Sequence, residues 1–327
     1  MEKEPRLKND VDILVTGPVP PEVLDGVGAA FSLRRLDSGA GRAHVLREHG
    51  PRIRGIASGA SHGPIDGALF DQLPALEIVA HYGVGYETVD AREAARRGIV
   101  VTHTPDVLDD EVADLALGLL IATVRRLPLA DRHVRSGAWS ERKFPLGATL
   151  RERRIGIVGL GRIGKQIARR CSGFGLEVAY HGRRQQAGVD HAFYPSVLDL
   201  ARAVDVLMLA APGGAETQHM VNAQVLKALG PDGVLINVAR GSLVDEAALI
   251  DALREGTILA AGLDVFENEP APRAELVALE NTVLLPHIGS ASVRTRNAMS
   301  ELVVANLVSW FAGRGPRTPV PESRSTA

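Results

Sequence analysis

Short β-branched runs alternate along the chain with longer stretches of helical period. In the first hundred or so residues the runs are Asp12–Thr16, Ile53–Ser58, Leu76–Ala80 and Gly98–Thr102. Such alternation is the signature of βαβ units, whose crossovers build parallel sheet. From Arg154 onward the runs are more continuously apolar: Ile155–Gly159, Val178–Gly182, Asp205–Ala210, Val234–Val238, Ala260–Val265 and Val283–Pro286. Strands without a polar face belong to a sheet covered on both sides. Helical patterns separate them, among them Arg162–Gly173 and Leu243–Arg254, each close to a glycine able to stop it. The pattern predicts an α/β protein whose second half is doubly wound.

No internal repeat, low-complexity block or flexible linker divides the two halves, so ordered helices are expected at the joints. One is Glu111–Leu127, where Asp109 or Asp110 caps the start and Arg125 and Arg126 suit the negative end of the helix dipole. The other is Ser300–Phe311, whose Leu302, Val303, Leu307 and Trp310 form an apolar face that should pack back on the body. Residues 313–327 read as a loose tail.

With 45% hydrophobic residues in 327, there is material for one large or two ordinary cores. Lys plus Arg number 37 against 39 Asp plus Glu, which removes the electrostatic case for a nucleic-acid or anionic-membrane partner. The one cysteine, Cys171, excludes an internal disulfide and a Cys-rich metal site and fits a reducing compartment. The opening MEKEPRLKND lacks the apolar core of a signal peptide, and Leu115–Val124 is too short to span a bilayer. A cytoplasmic protein is expected. The histidines include no H-E-x-x-H pair, so no metal is expected.

Gly159-Leu160-Gly161-Arg162-Ile163-Gly164 follows a strand and opens a helix. In a dinucleotide-binding unit these glycines allow a tight turn, close approach of the pyrophosphate and close helix packing, with the helix amino terminus facing the phosphates. Where an NAD-selective fold places a carboxylate at the end of the next strand, this chain has Tyr180-His181-Gly182-Arg183-Arg184. No acid is present to repel a 2′-phosphate, and Arg183 and Arg184 offer guanidinium forks to bind one, so NADP(H) is expected in preference to NAD(H). A solvated basic turn is the alternative reading of the same residues.

Ligands of open α/β sheets bind beyond the carboxyl ends of the strands, where three ionisable residues stand: Arg240, Glu269 and His287. Arg240 is suited to a substrate carboxylate and an adjacent carbonyl, His287 to protonating a forming alkoxide, and Glu269 to keeping the imidazole charged. Taken singly, each has an ordinary structural reading; together they are equipment for hydride transfer. A competing pattern, Gly59-Ala-Ser61-His62-Gly63, matches the elbow of serine hydrolases, but Gly63-Pro64 interrupts the helix that a nucleophile there needs.

This set resembles the D-isomer-specific 2-hydroxyacid dehydrogenase family, which uses an Arg, a Glu and a His in this chain order. Further matching stretches are His81-Tyr-Gly-Val-Gly-Tyr-Glu87, Asp106–Asp114, Asn237-Val-Ala-Arg-Gly241 and Gly262–Pro270. The resemblance implies a Rossmann coenzyme domain of residues 104–290 inserted into a flavodoxin-like substrate domain of residues 1–103 and 291–327, and a homodimer. It implies that Val84 and Gly85 offer backbone amides to the substrate carboxylate, that Asp264 holds the nicotinamide carboxamide, and that Trp139 reaches the partner subunit's site. A dimer-interface anchor is the other reading of Trp139. Asp109 departs from the threonine that relatives often carry near the cofactor. Within the family, the motifs are similar to NADPH-dependent glyoxylate/hydroxypyruvate reductases and nearly as much to hydroxyphenylpyruvate reductases. The expected reaction is reduction of a small 2-oxo acid to the D-2-hydroxy acid; the competing class is a nucleotide-sensing binding protein.

Overall fold

The computed structural model describes residues 11–36, 41–59 and 63–323. Ala60, Ser61 and His62 of the hydrolase-like pattern lie outside the described residues. The chain divides into two compact units, one of Met1–Leu108 with Ser292–Ala327 and one of Asp109–Ala291.

The first unit holds strands β1 (Asp12–Thr16), β2 (Ser32–Leu36), β3 (Ile53–Ser58), β4 (Ile78–His81) and β5 (Val100–Thr102). They form one parallel sheet in the order β2-β1-β3-β4-β5, the flavodoxin-like arrangement. Leu14, Ile56, Val79 and Val101 are fully buried in its core. The last long helix begins at Val293, not at Ser300 as its apolar face suggests. Ser292 caps it, its Oγ accepting from the Thr295 N–H at 3.2 Å. Val293 is 80% exposed and Met299 is the first buried apolar residue, so the opening turns carry no hydrophobic stripe for the sequence to display.

The expectation of a loose tail is corrected as far as Ser323. Residues 318–323 run along β5: the His103 N–H donates to Thr318 O, the Val320 N–H to Val101 O, and the Val101 N–H to Ser323 Oγ at 2.9 Å. Val320 and Ser323 are fully buried. Prolines and charges made this stretch look solvated, yet one buried valine and a few backbone bonds anchor it.

The second unit holds β6 (Ile155–Val158), β7 (Val178–His181), β8 (Ala192–Tyr194), β9 (Val206–Leu209), β10 (Val234–Asn237), β11 (Ala260–Leu263) and β12 (Thr282–Leu284). Their order is β12-β11-β10-β9-β6-β7-β8, all parallel. The chain runs outward from β6 through β7 to β8, then returns to β9 on the other side of β6. That reversal makes β6 and β9 the topological switch point. Every residue of β6, β9, β10 and β11 is buried, as continuously apolar strands require.

Two helices of the second unit also differ in extent from the sequence reading. The helix Asp109–Val124 stops before Leu127 because Arg126 is left-handed at φ 53°, and a second helix, Leu127–Arg135, follows. Leu243 closes a 3-10 turn, while Asp245 caps the helix Glu246–Arg254 through the Ala248 N–H. Among the described residues no helix is long and apolar enough to cross a membrane, and no group of three or more His, Cys, Asp or Glu side chains is placed to hold a metal ion.

Cys171 is fully buried on the helix that follows β6, and burial pushes its thiol up to about 11. Roughly a thousandth of it is thiolate near pH 8. Iodoacetamide is therefore expected to leave the native protein unmodified and to alkylate it once in guanidinium, as read by intact mass. Rapid labelling of native protein would contradict the burial.

Candidate active site

Because all strands of the second unit are parallel, their carboxyl ends share one edge. Along it stand, in spatial order, His287 beyond β12, Asp264 and Glu269 beyond β11, Arg240 beyond β10, the glycine turn beyond β6 and the basic turn beyond β7. Neighbouring strands lie about 4.8 Å apart, so residues distant in sequence become neighbours.

The turn after β6 is shaped by what its glycines lack. Gly159 has φ +94°, and a Cβ there would stand 2.7 Å from the Ala211 backbone at the end of β9. A Cβ on Gly164 would strike the Gly159 carbonyl, so the helix Arg162–Gly173 comes directly against the turn. Gly161 faces open space, and no side chain caps this helix. The positive end of a helix that no side chain caps, beside an open approach, fits a pyrophosphate. Leu160 is buried, and its carbonyl accepts from Gln186 Nε2 at 2.7 Å, while the Gln186 N–H donates to Tyr180 Oη at 2.8 Å. Gln186, which sequence reading passed over, thus ties the turn of Gly182, Arg183 and Arg184 to the glycine loop. Both arginines are exposed, and among the described residues neither has an ion-pair partner. Arg162 lies 3.7 Å from Asp109, so a guanidinium faces that unexpected carboxylate.

At the other end, His287 Nδ1 lies 2.7 Å from Glu269 Oε2. Glu269 Oε1 accepts from the Phe266 N–H at 3.0 Å, which fixes the carboxylate against its own loop. Burial pushes the Glu269 pKa up, but the hydrogen bonds from His287 and Phe266 and the fields of His287 and Arg240 outweigh it and hold the carboxyl below its ordinary value. An ionised carboxylate on Nδ1 selects the ring form that protonates this nitrogen and leaves Nε2 for proton exchange.

His287 has φ +54°, a conformation that non-glycine residues adopt at a cost. Asp264 holds it there: Oδ1 accepts from the Ile288 N–H and Oδ2 from the Gly289 N–H, both at 2.8 Å. Asp264 is 1% exposed; burial raises its pKa and the two N–H donors oppose the rise. The structure therefore places Asp264 on the backbone following the histidine.

Arg240 is partly buried, with Nη1 2.6 Å from the Ala239 carbonyl. Asn237, 1% exposed at the end of β10, folds the loop beneath it by donating to Arg240 O at 2.8 Å and accepting from the Ala239 N–H at 3.0 Å. A Cβ on Gly241 would strike the Phe266 carbonyl group and the Glu267 nitrogen, so the arginine loop lies flush on the loop that carries Glu269. Buried Glu246 braces that second loop, its Oε1 accepting from the Glu267 N–H at 2.7 Å. Sequence reading missed the bracing by Asn237 and Glu246. Asn237 sat in a motif already noted, whereas Glu246 reads as an ordinary first-turn acid.

The second unit thus brings Arg240, Asp264, Glu269 and His287 to adjoining loops. Val84 and Gly85 belong to the first unit, after β4. Trp139 stands in the 3-10 turn Ala138–Ser140 with 67% of its surface exposed.

Residues 117–289 match the model of the D-isomer specific 2-hydroxyacid dehydrogenase NAD binding domain. The glyoxylate/hydroxypyruvate reductase A of Arabidopsis thaliana is 44% identical over 95% of this chain and 99% of its own. The hydroxyphenylpyruvate reductase of Plectranthus scutellarioides is 42% identical over the same shares. An NADPH-dependent glyoxylate/hydroxypyruvate reductase from Sinorhizobium meliloti, crystallised with NADP and malonate, superposes with a TM-score of 0.91 at 50% identity, covering 96% of this chain and 98% of that one. With the family's domain matched across its strand-end cluster and relatives aligned nearly end to end, the chain belongs to the D-isomer specific 2-hydroxyacid dehydrogenase family.

Proposed function

We propose that the protein reduces small 2-oxo acids such as glyoxylate and hydroxypyruvate to D-2-hydroxy acids, using NADPH in preference to NADH. The observation that carries this reading is the 2.7 Å pair of His287 and Glu269 on the same sheet edge as Arg240 and an open glycine turn. In this reading Asp109–Ala291 is the coenzyme unit and the other unit receives the substrate. Gly159, Leu160, Gly161, Arg162, Ile163 and Gly164 hold the pyrophosphate, and Gly182, Arg183 and Arg184 receive the 2′-phosphate. When bound, the cofactor supplies the hydride that reduces C2 of the oxo acid. His287 gives its proton to the oxygen that becomes the hydroxyl, Glu269 holds the ring through Nδ1, and Arg240 binds the substrate's carboxylate and carbonyl edge. The Val84 and Gly85 amides hold the carboxylate. In this reading Asp264, besides its grip on the histidine turn, holds the nicotinamide carboxamide.

Exposed Leu127, Val134, Trp139 and Leu146 support a homodimer in which Trp139 enters the partner subunit. Buried, unbridged Cys171 supports a cytosolic enzyme.

The test is oxidation of NADPH and NADH on glyoxylate, hydroxypyruvate, pyruvate, phenylpyruvate and hydroxyphenylpyruvate. Rapid NADPH oxidation with the small acids is expected. Activity on aromatic acids alone keeps the chemistry and moves the substrate; no turnover with intact NADPH binding favours a nucleotide sensor. Replacing Arg183 and Arg184 together with alanine is expected to raise KM for NADPH about tenfold or more and leave KM for NADH nearly unchanged, since each charge-assisted bond to a phosphate carries a large share of binding. Equal effects on both cofactors would return the pair to a solvated turn.

A further inference from the structure

The loop Gly83–Gly85 has all three of its carbonyls occupied by donors from the first unit. The Thr104 N–H donates to Gly83 O at 2.9 Å, His103 Nδ1 to Val84 O at 2.9 Å, and His81 Nε2 to Gly85 O at 3.0 Å. In a planar trans peptide the N–H points opposite the C=O of the same unit. Tying down the carbonyls of Gly83, Val84 and Gly85 therefore turns the N–H groups of Val84, Gly85 and Tyr86 to the other side. Among the described residues the Val84 and Gly85 N–H groups donate to nothing.

We propose that His81 and His103 are positioning residues for the substrate carboxylate: buried donors that hold the carbonyls of this loop so that its amides form a fixed anion receptor. The proposal rests on the reading of Val84 and Gly85 as the carboxylate's partners. A carbonyl only accepts, so Nε2 of His81 and Nδ1 of His103 carry the protons. His81, 2% exposed at the end of β4, is held in turn by Ser58 on β3, whose Oγ lies 2.9 Å from Nδ1. His103, 6% exposed just past β5, is clamped by its backbone: its carbonyl accepts from Thr318 Oγ1 at 2.6 Å, and that oxygen accepts from buried Asn306 at 2.9 Å. Its ring meets Tyr86 edge-on, with centroids 5.6 Å apart. Gly83 completes the device, because a Cβ there would lie 3.0 Å from His81 Nε2 and 3.3 Å from Gly85 O, wedged into the bond between them. Imidazoles suit the task, being rigid donors that lose little freedom when fixed.

The test uses the NADPH-loaded enzyme with glyoxylate as substrate and malonate as a competing dicarboxylate. His103→Leu and His81→Leu each remove the donor and keep an apolar side chain. His103→Asn and His81→Gln restore a nitrogen near Nδ1 and near Nε2. The leucine variants are expected to raise KM and the malonate inhibition constant together by about tenfold or more, with kcat and NADPH affinity little changed, because carboxylate binding is common to ground and transition states. The amide variants are expected to recover most of that loss. Leucine variants with the wild-type KM, or amide variants as impaired as leucine, would overturn the proposal. If a leucine variant does not fold, Gly83→Ala replaces it, with the same KM-against-kcat split expected. Gly85→Pro separates the two levels, since it deletes an N–H of the receptor itself. If it leaves KM and malonate inhibition unchanged, the loop is not the receptor and both readings fall; if it raises them while the histidine variants do not, only the histidine proposal falls.

Discussion

A His287→Ala enzyme is expected to reduce glyoxylate with kcat lowered by about 10²- to 10⁴-fold while binding NADPH with unchanged affinity. The separation of the two effects follows from the sheet. His287 stands beyond β12, whereas the glycine turn lies beyond β6, on the far side of β11, β10 and β9. Nor does the substitution empty the core: the side chain is half exposed and bonds to Glu269. The left-handed backbone at this position is held by Asp264 through the next two amides, which alanine does not disturb. Steady-state kinetics with a fluorescence titration of NADPH would read both quantities. A variant that keeps most of its kcat would move the proton donor to another residue.

Gly241→Ala is expected to cost both activity and stability, although a single methyl is added and no side chain of the site is touched. The new Cβ would occupy the place of the Phe266 carbonyl group, so one of two backbones must move. Overpacking of this kind typically costs about 1–3 kcal/mol, and here backbone, not a flexible side chain, has to yield. The two loops forced apart are those that carry Arg240 and Glu269. We expect a lower denaturant midpoint and kcat reduced at least about tenfold even in the fraction that folds. NADPH affinity should change less, since the glycine turn is separate. A wild-type midpoint with wild-type kcat would show that the loops have room the structure does not reveal.

Much of this architecture is legible in the sequence because buried parallel strands and glycine turns leave local marks. The apolar runs from Ile155 to Pro286 correspond to strands, and Arg240, Glu269 and His287 could be gathered because strand ends of a parallel sheet share an edge. Three kinds of feature were not legible. Short strands such as Ala192–Tyr194, at a sheet edge and partly exposed, carry little hydrophobic signal. The start of the last helix depends on one serine cap, which weighs less in a pattern than the apolar face beginning several residues later. The bracing of the site by Asn237, Glu246 and Gln186 rests on side chains that bond to backbone atoms of residues near and far, and no local periodicity encodes such contacts. Asp264 shows the same limit differently: its place in a family motif implies a cofactor contact, and nothing in the sequence shows that it also holds the histidine turn.

The C-terminal segment has a consequence for how the protein behaves among its own copies. An open parallel sheet ends in strands with unpaired N–H and C=O groups, which invite strand addition from another chain. In the first unit β5 would be such an edge, but residues 318–323 occupy it with backbone bonds and an antiparallel bridge between Thr102 and Pro319. Pro319 and Pro321 have no N–H to offer a newcomer, so the added segment does not simply become the next sticky edge. At the opposite end β2 carries consecutive Arg34 and Arg35, charges that resist stacking on a second copy. One end of this sheet is closed by pairing and the other is guarded by charge, so both margins disfavour growth into aggregates.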